Sequence, residues 1–168
     1  MKKLTVLLLL LLFLTSCAPE KDIKETLSLP LEIGLSLLPN GSEFTASIDE
    51  NGCRVHFKAE CLQGLSLYFS DSGARAEVEG YFEREVEQES FPAISMLYKS
   101  LVLLDSYEGE GEKSENRIKY TIDETAIMVY YDKATERITH IETEEKGRRF
   151  LFTVTSLLRD EAQSNGAG

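Results

Sequence analysis

Histidine is scarce in these 168 residues, and its scarcity limits the chemistry the chain can perform. Only His56 and His140 are present. Neither sits in a serine, cysteine or carboxylate pattern that would make a triad or a metal site. No catalytic residue, metal ligand or cofactor is therefore expected, and the chain is read as a non-enzyme. A basic surplus is also missing. Lys and Arg number 18 against 29 Asp and Glu, a net charge of −11. That balance excludes nucleic acid, which demands a basic surface, and close docking on anionic lipid, which uses polybasic segments. No apolar run reaches the roughly twenty residues of a spanning helix. The longest, Leu4 to Leu14, has eleven. Calcium loops of the form Asp-x-Asp-x-Asp-Gly are absent. Gly109 and Gly111 lie among glutamates, the wrong sign to cradle phosphate.

Cysteine is nearly as scarce: Cys17, Cys53 and Cys61. If residues 53–61 form one extended strand, its ends stand about 25 Å apart. A disulfide needs Cα atoms within roughly 7 Å. Two buried free thiols are expected there.

What is present begins at the N-terminus. Lys2 and Lys3 precede the apolar run, and Leu14-Thr15-Ser16-Cys17 follows it. A basic head, a short apolar stretch and a small-residue cut make a secretory signal. The cysteine at the cut resembles a bacterial lipobox. That resemblance implies removal of residues 1–16 and a lipid on Cys17, holding the protein on the extracytoplasmic face of the cell membrane. Removing residues 1–16 takes away two lysines and no acid, and moves the net charge to −13. The expected layout is a tether over 17–24, one domain over 25–160 and a flexible tail over 161–168.

From Leu31 onward apolar residues alternate with polar ones, the period of strands. Glycine turns then set trial registers. Folding about Asn51-Gly52 pairs Ile48 with Val55, Ala46 with Phe57 and Phe44 with Ala59, and sets Ser47 beside His56. Asn40-Gly41 pairs Leu35 with Ala46, Ser72-Gly73 pairs Phe69 with Ala76, and Glu124-Thr125 pairs Tyr120 with Val129. Lys146-Gly147 pairs Ile141 with Phe152. Apolar meets apolar each time, which predicts an antiparallel meander with one buried face. Between Tyr131 and Ile141 the phase slips, so a bulged turn is expected near Lys133 to Arg137. Gly80 marks either a bend in one long strand or a break between two. Glu83, Glu85, Glu87 and Glu89 alternate as a solvated strand face.

Pro92 to Asp105 leaves this period. Ile94, Leu97, Leu101 and Leu104 fall on one helical stripe, with Ser90 as the expected N-cap and Pro92 in the first turn. A second short helix is expected over Lys21 to Leu29. The fold class is thus mainly β, with α+β character: a curved antiparallel meander or incomplete barrel of about ten strands wrapped on one apolar helix. Its inward row, Phe44, Phe57, Phe69, Phe82, Tyr120 and Phe152, receives the helix residues Leu97, Leu101 and Leu104. These nine are either a packed core or the lining of an apolar ligand cavity.

Gly64-Leu65 opening a strand, Glu89-Ser90-Phe91-Pro92-Ala93 entering the helix and Tyr131-Asp132 before the bulged turn join the lipobox as quoted features. On them the chain resembles a group of uncharacterised lipoproteins from Gram-positive bacteria. More distantly it is similar to the lipoprotein-carrier superfamily, which implies an unclosed barrel holding acyl chains. The function expected is an anchored lipoprotein that binds a lipid or other hydrophobic ligand in the concave face of the sheet. The alternative is a solid interaction lipoprotein that binds an envelope protein.

Overall fold

A computed structural model describes residues 19–79 and 81–158. The expected signal peptide over 1–16, Cys17, Gly80 and the expected tail over 161–168 lie outside the described residues.

Helix α1 (Pro19–Thr26) leads into six strands: β1 (Leu31–Leu38), β2 (Ser42–Asp49), β3 (Gly52–Phe57), β4 (Leu65–Ser70), β5 (Gly73–Val78) and β6 (Phe82–Val86). Helix α2 (Pro92–Ser106) follows, then β7 (Glu112–Ser114), β8 (Arg117–Ile122), β9 (Thr125–Tyr131), β10 (Ile138–Glu145) and β11 (Arg148–Leu158). All eleven strands form one antiparallel sheet, ordered β6-β5-β4-β3-β2-β1-β11-β10-β9-β8-β7. The first and last strands pair at its centre, and β6 and β7 end it unpaired with each other. The sheet is curved and unclosed. Helix α2 leaves one free edge and returns to the other, so it crosses the concave face between them.

Alternation decides the faces. Phe44, Ala46 and Ile48 of β2 are buried, while Thr45 and Ser47 between them are partly exposed. The pattern predicts the faces correctly but several registers wrongly. Ile48 lies opposite Cys53, Ala46 opposite Val55 and Phe44 opposite Phe57. Leu35 lies opposite Phe44, Leu67 opposite Ala76 and Tyr120 opposite Ile127. Each differs from the expected register by two residues, because the loop residues precede the assumed pair. At β2–β3, for example, Glu50-Asn51 makes the turn and Gly52 is already in β3. A slip of two leaves every side chain on its face, so apolar still meets apolar. His56 consequently stands beside Thr45 and Ser66 rather than Ser47. The Lys146-Gly147 hairpin has the expected register, Ile141 on Phe152. Both its turn residues have positive φ, 51° and 77°, as a two-residue type I′ turn requires.

The phase slip in β10 is real. Val129 faces Ile141, and the register shifts between Ile138 and His140. The extra residue is Thr139, inside the strand and just beyond the expected turn. Asp132 holds the turn itself, accepting from the backbone N–H of Ala134 and Thr135 and from the Thr135 hydroxyl. A second bulge follows Gly34, where β1 meets Ser156 and then Val154. A Cβ on Gly34 would come within 2.3 Å of Ser156 Oγ, so glycine lets the two central strands close. Strands β5 and β6 pair as a hairpin, so this run holds two strands, one ending at Val78 and the next starting at Phe82, rather than one long strand.

The stripe on α2 is buried as expected: Ile94, Leu97, Leu101 and Leu104 are 6, 0, 0 and 1% exposed. Its N-cap is Phe91, without a side-chain capping bond, so Ser90 does not cap it. Helix α1 corrects the tether. It includes residues assigned to the tether and is docked, with Ile23 and Leu27 buried in the core. Lys24 Nζ donates to the Tyr107 carbonyl, and the Leu29 N–H donates to Asp105 Oδ1 at 3.0 Å. These contacts tie α1 to the end of α2.

Candidate functional site

Seven of the nine expected ligand contacts form the filled interior. Phe44, Phe69, Leu97, Leu101, Leu104, Tyr120 and Phe152 are at most 2% exposed and belong to one core cluster. Their rings meet edge-on or tilted: Phe44 against Phe152 and Phe57 at 6.2 Å, Phe69 against Phe91 at 6.3 Å, Tyr107 against Tyr120 at 6.3 Å. Such geometry suits the ring quadrupole and fills space. Phe57 is half-buried at the margin of this core.

Phe82 departs from the expected inward row. It has inward parity but is 56% exposed. Its neighbours in register are Val78 and then Leu65, both half-buried. The adjacent Tyr81 is 87% exposed. Helix α2 packs on the concave face over β8, β9 and β10, and the strip over β4 to β6 runs from half-buried Leu65 and Val78 out to exposed Phe82. Sequence reading missed Tyr81. Two consecutive aromatics just after a turn, at the start of the last strand before α2, were the available signal.

A hollow of about 1150 Å³ opens at the end of the sheet where β1 begins. Of the nine residues, only Phe69 lines it. Its outer wall carries Arg54, Tyr68 and Arg75, which are consecutive cross-strand neighbours. Both guanidinium carbons stack on the Tyr68 ring, at 4.3 and 4.4 Å. Arg75 Nη1 also donates to Glu83 Oε1 at 2.8 Å. This ladder was hidden because the register two residues away does not bring Arg54, Tyr68 and Arg75 into line.

The titratable groups do not converge. His56 Nδ1 lies 2.9 Å from Ser66 Oγ, exposed on the convex face. His140 stands opposite Thr153, with its ring edge-on to Tyr130. On that same face Glu142 is 1% exposed. Its Oε2 accepts from Tyr130 Oη at 3.0 Å and Arg149 Nη2 at 2.7 Å, and Arg149 Nε pairs with Oε1. The guanidinium is held in its charged form by this carboxylate, an arrangement that neutralises a buried charge. Among the described residues no three His, Cys, Asp or Glu side chains are placed to hold a metal ion.

The thiols are unlike one another. Cys53 is buried, and burial, then the nearby Asp49 carboxylate, push its thiol up to about 12. Cys61 is exposed, in a 3-10 turn over Glu60–Leu62. That corrects the expectation of two buried thiols: the strand ends at Phe57, and the loop carries Cys61 out to solvent. Both are free, as expected. Burial, followed by Asp71 and the other acidic groups at that end, likewise raises the Tyr98 hydroxyl.

No protein-family model matches the sequence, and a search of curated proteins gives no match. No helix among the described residues is long and apolar enough to cross a membrane.

Proposed function

We propose that this protein is an anchored, extracytoplasmic lipoprotein with a solid, non-enzymatic domain that binds an envelope protein through its outer surface. Lipid on Cys17 holds it to the membrane, and the kinship proposed is with the Gram-positive lipoproteins whose motifs it resembles. One observation carries the choice of a solid domain. Seven of the nine side chains that would line an internal ligand cavity pack in one core cluster at 2% exposure or less, and well-packed interiors leave no void larger than a water molecule. A carrier keeps about 300 Å³ or more inside its core for a ligand, whereas the 1150 Å³ hollow here opens at the end of the sheet and meets only Phe69 of these side chains.

The open strip at Leu65, Val78 and Phe82 supports a second reading, in which a hydrophobic ligand lies on the uncovered concave face. Native mass spectrometry of the chain, purified without detergent and with Cys17→Ser to prevent acylation, separates the two. A ligand-free mass is expected. An adduct of acyl-chain or phospholipid mass, released on denaturation, would overturn the solid-domain reading in favour of the second.

A further inference from the structure

We propose that β6 is a docking edge for one extended protein segment, which adds to the sheet as a twelfth strand and carries basic residues on its convex side. The proposal rests on the envelope-protein reading above and names the surface and the chemistry of the partner. Strand β6 ends the sheet, so one side of its backbone has no neighbouring strand among the described residues. It contains no proline, and an unpaired edge of that kind is a template for another strand. Two of the exposed large apolar residues, Tyr81 and Phe82, stand at its start. The strip Leu65, Val78 and Phe82 continues straight to it. An added strand therefore gains backbone hydrogen bonds and an apolar face together.

Charge specifies the occupant. Glu83 and Glu85 point to the convex side and Arg84 to the concave side, beside Ala76. A second copy of this chain is a poor fit. Every twofold antiparallel register that pairs three or more β6 residues sets Glu83 on Glu83, Glu83 on Glu85, or Glu85 on Glu85. Like charges directly opposite are destabilising. Arg75 already pairs with Glu83, and a strand beyond the edge brings the second cation. The complementary segment is apolar, basic, acidic or small, basic, apolar. This pattern reads the same in either direction, so parallel and antiparallel docking make the same demand.

The probe is a fluorescent peptide, Thr-Val-Lys-Glu-Lys-Val-Thr, titrated with the full chain by anisotropy. Saturable binding below about 1 mM is expected. The charge-inverted peptide, Thr-Val-Glu-Lys-Glu-Val-Thr, should bind at least about tenfold more weakly, since the three favourable cross-strand pairs, with Glu83, Arg84 and Glu85, become repulsive. Glu83→Lys with Glu85→Lys should reverse that preference. Both sites are exposed and their substitution leaves the core intact. N-methylation of alternate peptide amides should abolish binding, a control that does not depend on folding of any variant. Absence of binding, or binding unaffected by N-methylation or by the charge swap, overturns the proposal. If an envelope partner is still captured by the Glu83→Lys, Glu85→Lys chain, the edge is wrong while the interaction module stands.

Discussion

Truncation of Leu101 to alanine tests whether the interior is filled. Leu101 lies at the middle of the buried stripe of α2 and is 0% exposed. Removing three carbons forfeits about 2–2.5 kcal/mol of transfer free energy, at roughly 0.8 kcal/mol per methylene. A packed surround relaxes only partly, and the residual cavity adds about 24 cal/mol per Å³. The total expected is about 3–5 kcal/mol. At a urea slope of about 2 kcal/mol/M, the unfolding midpoint falls by about 1.5–2.5 M. The assay is urea denaturation followed by circular dichroism, with Phe82→Ala as the exposed comparison, expected within about 0.5 kcal/mol of the parent. If α2 instead faced a ligand chamber, the leucine would already border empty space and its loss would cost far less. A Leu101→Ala penalty below about 1 kcal/mol, with unchanged slope, would refute the packed-core argument.

Two further outcomes follow from buried polar groups. Thr143 is 0% exposed and its Oγ1 has no hydrogen-bond partner among the described residues; Thr143→Val should stabilise by about 1 kcal/mol, read as a higher Tm, because an uncompensated hydroxyl leaves the core. The raised Cys53 thiol ties stability to alkaline pH. Below the ordinary thiol value of 9.0 its contribution is constant. Between 9.0 and about 12 the unfolded thiol ionises while the folded one keeps its proton, so stability falls as pH rises. Cys53→Ala should flatten that part of the stability profile. In the folded chain a thiol reagent should label Cys61 and spare Cys53, as peptide mapping would show; equal labelling would contradict the burial difference.

Much of the fold was legible in the sequence because each element has its own period. The 3.6-residue stripe from Ile94 to Leu104 marked α2, and alternation marked the strands on either side. The bulge in β10 was legible as a phase error between Val129 and Ile141, though its residue was not. The Ser90 cap failed because a cap depends on backbone dihedrals that residue type alone leaves open; here Phe91 makes the transition, with φ −128° and ψ 58°. Of the candidate site, the buried aromatic row was visible and its exposed end was not. Parity gives Phe82 and Phe69 the same face, and only the reach of a neighbouring element separates 56% from 2% exposure.

By itself the sequence determined which side chains share a face, since side-chain direction alternates with period two and survives any even slip. It did not determine which even register holds, because apolar meets apolar in both. Tertiary structure decided that, and with it the stacking of Arg54 and Arg75 on Tyr68. It also decided what is covered. A 15-residue helix is about 22 Å long. Laid from one free edge to the other, it seals the core over β8 to β10 and leaves β6 bare.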